Sequence, residues 1–195
     1  MEQKTDLRII KTNINIRNTF IQLLNKKDFD SITVQNILDT ALINRSTFYK
    51  HYSDKYDLAE AIAKDFLDKF KSLADVRFSN KEDISGLIKG MDKVYEKFYE
   101  ERMTILGLWR IRTEKINVYE DMQTILMQKY IEFTKNHVKE NYNIEYQACI
   151  FASLVLTTLK FVMESQKIYT AHELLEELQS FTKVITTASI KVVNK

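Results

Sequence analysis

Thr33-Val-Gln-Asn-Ile-Leu-Asp-Thr-Ala-Leu-Ile-Asn-Arg-Ser-Thr-Phe-Tyr-Lys-His-Tyr-Ser-Asp-Lys55 is the stretch through which the rest of the chain is best read. Val34, Ile37, Leu38 and Ala41 recur at i, i+3, i+4 and i+7, one apolar stripe along two helical turns. Ser31 and Thr33 both stand where an N-cap is needed. Leu42-Ile43-Asn44 interrupts the stripe, and Asn44 suits the cap of a further short helix. There Phe48 and Tyr52, four apart, point to the core and leave Arg45, Thr47, Tyr49, Lys50 and His51 largely on other faces. No carboxylate falls between Asp39 and Asp54. A helix this polar gains little from packing, and its cations, hydroxyls and aromatic ring suit a DNA major groove.

The composition agrees with helices throughout. The chain has 195 residues, no proline and three glycines (Gly86, Gly90, Gly107), whereas hairpins lean on Gly and Pro. The expected fold is all-α, with about nine helices. Net charge is only +2, but residues 1–55 hold nine Lys/Arg against six Asp/Glu and residues 56–195 hold 20 against 21. The positive excess lies in the first quarter, the direction that a nucleic-acid partner requires. Cys149 alone can form neither an internal disulfide nor a Cys-based zinc cluster, and its apolar surroundings suggest a small core residue. His51, His137 and His172 are far apart, and no Gly-rich phosphate loop or nucleophile motif occurs. No catalysis, metal or cofactor is expected. The N-terminus lacks a signal-peptide apolar region, and the run Ala148–Leu159 is too short to span a bilayer. A cytoplasmic protein without a membrane partner is expected.

Periodicity places the first helix at about Asp6–Lys27, with Ile10, Ile14, Phe20, Ile21 and Leu24 on its buried side and Arg8, Lys11 and Arg17 on a solvated face. Asp28 sits at a turn, as a residue that tolerates a left-handed conformation. Ser53 caps the fourth helix, with Asp54 first and Lys55 second, and that helix runs to about Asp75. A polar connection over Arg77–Asp83, a helix from Ile84 to Tyr99, a short one over Met103–Arg112 and a long one over Asn117–Glu140 follow. The long helix buries Met122, Ile125, Leu126, Tyr130 and Phe133, and Asn141–Asn143 form a polar break. Glu145–Gln166 is apolar on most sides, and Ala171–Val193 presents Leu174, Leu178, Phe181, Val184 and Ile185. Two such helices need more partner surface than one chain supplies, so residues 145–166 and 171–193 are expected to form a homodimer through a four-helix bundle.

The run Asn44-Arg45-Ser46-Thr47-Phe48-Tyr49-Lys50-His51-Tyr52, followed by Ser53-Asp54-Lys55-Tyr56-Asp57-Leu58, resembles the DNA-binding domain of TetR/AcrR regulators. The resemblance covers roughly residues 8–60 and includes Phe29–Val34. It implies a DNA-binding domain over 1–56 and a helical regulatory and dimerisation domain over 57–195, the fourth helix linking the two. Arg45 and Thr47 match base-edge positions, and Thr33, Tyr49, His51 and Lys55 match phosphate-contacting positions. Ser46 and Lys50 lie on the same helix. The family often has glycine at the places of Leu42 and Asp28, so a left-handed Leu42 would be strained by about 1–2 kcal/mol.

The function so implied is a repressor released from a palindromic DNA operator by a small-molecule inducer. An activator, a ligand-independent regulator and a helical interaction module without DNA binding are the alternatives. Tyr95, Phe98, Met103, Trp109, Met127 and Tyr130 form an aromatic and methionine set that could line an inducer pocket, with Arg110 or Arg112 for an anionic group. Such residues at helical spacing are more often plain core.

Overall fold

Helix α1 (Leu7–Leu24) buries its C-terminal half and leaves its N-terminal half in solvent. Ile16, Phe20 and Leu24 are fully buried, whereas Ile10 and Ile14 are 41% and 52% exposed. Spacing defines a face of a helix but not where its neighbours stop. Here the neighbours meet the later turns: Asn15 donates to the Ala41 carbonyl, and Leu24 lies against Gly107.

The computed structural model describes residues 7–79, 92, 94–137, 143–165 and 167–193. After α1 come a 3-10 turn (Phe29–Ser31), α2 (Val34–Ala41), α3 (Arg45–Tyr49) and α4 (Lys55–Ser79). The second half holds α5 (94–100), α6 (Arg102–Leu108), α7 (Val118–His137), α8 (Ile144–Glu164) and α9 (Ala171–Val193). Among the described residues there is no strand. Asp6, most of the helix expected over Ile84–Tyr99, the break at Asn141–Tyr142 and Gln166 lie wholly or partly outside the described residues.

Local chemistry sets most boundaries. Thr33 caps α2 by accepting from the Asn36 N–H, and Asn36 returns a bond to the Thr33 N–H, each at 3.2 Å. Leu42 ends α2 at φ 54°, ψ 43°, the one left-handed non-glycine among the described residues. Asp28, expected in that conformation, is extended instead (φ −69°, ψ 144°). The chain reverses there through the 3-10 turn, where Ser31 N–H and Oγ both reach the Asp28 carbonyl. α4 starts one residue later than expected because Asp54, not Ser53, is its cap. The Asp54 carboxylate accepts from the Tyr56 and Asp57 N–H groups at 2.8 Å, and Asp57 in turn accepts from the Ser53 N–H. No proline or glycine stops α4 at Asp75, and it continues to Ser79 through the start of the expected connection.

A single apolar core runs from Ile16 and Phe20 through Phe48, Leu58 and Phe66 to Leu108, Met122 and Leu156. α7 packs on both α4 and α8. It buries Met122, Leu126 and Thr134, whereas Phe133 points outward and is 40% exposed. α8 buries Ala148, Ala152, Leu156, Leu159, Val162 and Met163 along one side. Tyr146, Ile150, Leu154 and Phe161 remain exposed on the other, and Cys149 is exposed with them rather than in the core. At 21 residues α8 is by length and composition long enough to cross a membrane, unlike the shorter run read from sequence, yet its buried side packs on α7 within the chain. α9 buries Leu174 and exposes Phe181, Val184 and Ile185.

Leu42 is 90% exposed, so its side chain contributes no burial to offset its backbone strain. Relief of about 1–2 kcal/mol, less the greater unfolded-state freedom of glycine, leaves Leu42→Gly more stable by about 0.5–1 kcal/mol. A urea titration showing no gain would mean that the left-handed turn carries no strain.

Candidate nucleic-acid interface

α3 is only five residues long and is held from outside itself. At its start the Asn44 side-chain oxygen accepts from the Thr47 N–H (2.8 Å), the Thr47 hydroxyl (2.7 Å) and the Ser46 hydroxyl (2.9 Å). On its inner side Phe48 is fully buried, and Tyr52 follows it into the core. The Tyr52 hydroxyl donates to Asn13 Oδ1 and accepts from Arg17 Nε at 2.9 Å, while Arg17 Nη1 pairs with Asp65 of α4. Arg17, read from spacing as a solvated cation, is therefore a strut joining α1, the end of α3 and α4. Burial on its own would lower the Arg17 pKa, but the bonds to Tyr52 and Asp65 prevail and raise it.

Outside this anchored side the residues expected to touch DNA are at least partly open to solvent. Thr33, Arg45, Ser46, Tyr49 and Lys50 are exposed, and Thr47 and His51 are half-buried. Neither Arg45 nor Lys50 makes an ion pair or a side-chain hydrogen bond among the described residues. Lys55 differs. Its Nζ donates to the backbone carbonyls of Phe29 (2.9 Å) and Asp30 (3.0 Å), 4.7 Å from the centre of the Phe29 ring. Phe29 meets Tyr56 edge-on at 5.2 Å and Phe20 at 6.3 Å. Burial lowers the Lys55 pKa. Lys55 thus clamps the 3-10 turn to the start of α4, a use no charge pattern could reveal because its acceptors are main-chain carbonyls.

A cavity of about 150 Å³ opens among α4, α5, α7 and α8, lined by Phe70, Leu73, Tyr95, Phe98, Phe151 and Val155 among others. Of the pocket residues expected from sequence, Tyr95 and Phe98 are on its wall. The others lie elsewhere. Trp109 donates to Met122 Sδ and meets Tyr119 edge-on at 5.2 Å. Met103 is exposed on α6. Met127 packs against the core, and Tyr130 donates to Gln147 with its ring 5.1 Å from Phe151. Phe70, Leu73, Phe151 and Val155 complete the wall, and along one helix such residues are indistinguishable from ordinary core.

Arg110 belongs to the junction between α1 and α6. It pairs with Asp28 at 3.1 Å and reaches the Asn25 carbonyl, while Asn25 Nδ2 donates to the Met103 carbonyl at 2.8 Å. A Cβ on Gly107 would come within 3.0 Å of Asn25 Nδ2 and 3.3 Å of Leu24 Cβ, so glycine allows α6 to approach α1 this closely.

Residues 18–62 match the model of bacterial regulatory proteins, tetR family. An uncharacterized HTH-type transcriptional regulator of Bacillus subtilis (strain 168), YxbF, is 32% identical over 62 residues, which take in 31% of this chain and 16% of that protein. Solved structures share the fold over most of the chain. A TetR transcriptional regulator from Streptococcus agalactiae 2603V has a TM-score of 0.62 at 21% identity, covering 90% of this chain and 96% of that one. The SmeT–triclosan complex has a TM-score of 0.60 at 16% identity, covering 78% and 80%.

Tyr52→Phe removes a buried hydroxyl with two partners and leaves Asn13 and Arg17 short of one bond each; it should cost about 1–2 kcal/mol in urea denaturation. Lys55→Met, at a more exposed clamp, should cost about 1 kcal/mol. If both variants melt like the native protein, these groups do not hold α3 and the 3-10 turn.

Proposed function

The chain belongs to the tetR family of bacterial regulatory proteins through residues 18–62, and from that premise we propose a dimeric, cytoplasmic repressor that leaves a palindromic operator when a small molecule binds. The observation that carries this reading is the asymmetry of α3. Its inner side is locked by Phe48 and Tyr52, while Arg45 and Lys50 stand exposed and uncompensated among the described residues. Buried phosphate-free cations would be costly; exposed ones aimed at an anionic partner are useful.

Arg45 can bond bidentately to a guanine edge, and Thr47, whose hydroxyl is engaged by Asn44, retains its methyl for thymine. Thr33, Ser46, Tyr49, Lys50 and His51 would fix register on the backbone. Lys55 acts through Phe29 and Asp30 rather than through phosphate. The dimer reading is supported by the exposed apolar rows on α8 (Tyr146, Ile150, Leu154, Phe161) and α9 (Phe181, Val184, Ile185). Two helices from each copy would close a four-helix bundle and hold two copies of α3 at half-sites about 34–36 Å apart, or a multiple of that repeat.

The cavity supplies the effector site. SmeT, of the same fold, is solved as a complex with triclosan. In this chain α4 carries Phe70 and Leu73 on the cavity wall and Lys55 and Asp65 at its reading-domain end, so a ligand that prefers one placement of α4 shifts the spacing of the two reading helices.

Selection from random DNA should return an inverted repeat; a single half-site or no enrichment speaks against the dimeric reader. On the selected operator Arg45→Ala should relax base preference at one position of each half-site. Lys50→Ala should lower the salt slope by about 0.9 per lost contact without changing preference, and Lys55→Met should leave the slope unchanged. Ile150→Glu with Val184→Glu should convert the dimer to monomer in sedimentation velocity and speed the reaction of Cys149 with a thiol reagent. A dimer that survives both substitutions must use another surface.

A further inference from the structure

We infer that the cavity among α4, α5, α7 and α8 takes a neutral, apolar molecule about the size of one substituted aromatic ring, and excludes carboxylates and ammonium ions of the same shape. This rests on the reading of that cavity as the effector site.

The wall decides the chemistry. Phe70 and Leu73 of α4, Phe98 of α5, Leu126 of α7, and Phe151 and Val155 of α8 offer only hydrocarbon. Among the described lining residues Tyr95 alone carries a polar side-chain atom. An ion entering such a site loses its hydration and gains no counter-charge, a loss that geometry cannot repair. Of the charged groups flanking the wall, those beside Ala74 are paired with one another. Asp75, adjacent to the lining residue Ala74, pairs with Lys129 of α7 at 2.8 Å, and Lys129 also pairs with Glu132 at 2.7 Å. Among the described lining residues an anionic head therefore finds no ammonium, and a cationic head no carboxylate.

The size follows from the volume. A cavity of about 150 Å³ lined by Leu, Ile and Phe stays dry and admits benzene, and this one has the same volume with a similar wall. A ligand of that kind gains by leaving water and by filling the void, with no polar contact needed to drive entry.

Toluene, benzoate and benzylammonium share one ring and differ in charge, so they separate the ligand classes on the native full-length protein. Toluene should raise the melting temperature in a saturable way and show nuclear Overhauser contacts to the Val155 methyl groups. Benzoate and benzylammonium should bind at least tenfold more weakly at pH 7. Ala74→Phe and Val155→Phe, each folded by its own melting curve, should abolish the toluene shift by filling the space. Equal or tighter binding of either ion, no toluene binding to the native protein, or a toluene shift that persists in both filled variants would overturn the inference. If neither filled variant folds, the contacts to Val155 in the native protein decide the location, and contacts elsewhere count against it. Operator affinity is measured separately with and without toluene. Toluene that binds at Val155 without moving that affinity removes the regulatory reading of the cavity and leaves its ligand class standing.

Discussion

Tyr52 lies just beyond α3, and its hydroxyl bonds Asn13 of α1 and Arg17, whose other arm pairs with Asp65 of α4. A five-residue helix has too few internal hydrogen bonds to persist alone, because nucleating a helix costs more than so short a run returns. Its shape comes from what it touches: Asn44 closes the first turn, Phe48 fills the core, and Tyr52 fixes the exit. The Tyr52 end of the polar cluster is part-buried, whereas its Asp65 end is open to solvent. Arg17 thus serves as a structural part, while Arg45 and Lys50, on the other side of α3, remain at the surface.

α4 then relates the two halves of the molecule. Lys55 holds its first turn to the Phe29–Ser31 turn, Asp65 receives the Arg17 strut, and Phe70 and Leu73 line the cavity. The Arg110–Asp28 pair and the close approach at Gly107 join α6 to the end of α1 by a second route. Displacing α6 relative to α1 must therefore work against both an ion pair and tight packing.

The exposed apolar rows of α8 and α9 contrast with this economy. The small residues that let α8 pack on α7 lie on its inner side, while Ile150, Leu154 and Phe161 remain in water on the outer side, as do Phe181 and Val184 of α9. Such a surface is larger than scattered single exposures need. That α8 is apolar on nearly all sides was legible in sequence, but not that Cys149 would fall on its outer side.

Much of the reading end was legible in the residues themselves, because its determinants are local. Thr33 and Asn44 cap as their side chains dictate, Leu42 takes the left-handed turn that its place in the motif demands, and Phe48 and Tyr52 point inward by helical spacing. α9 runs from Ala171 to Val193 as its pattern implies. What only tertiary structure decided depends on groups distant along the chain. Lys55 matches a phosphate-contacting position, and only the packed chain shows its ammonium on two carbonyls 25 and 26 residues away. Arg17 looked solvated until Tyr52 and Asp65 reached it from 35 and 48 residues away. Ile10 and Ile14 continued an apolar face whose neighbours end before them. The cavity is the clearest case, since four helices each contribute side chains that read as ordinary core, and an empty space between them has no residue of its own to mark it. Periodicity and capping are properties of a segment, so the amino-acid sequence determined them; the partner of a long side chain and the volume left among helices are properties of the packed whole.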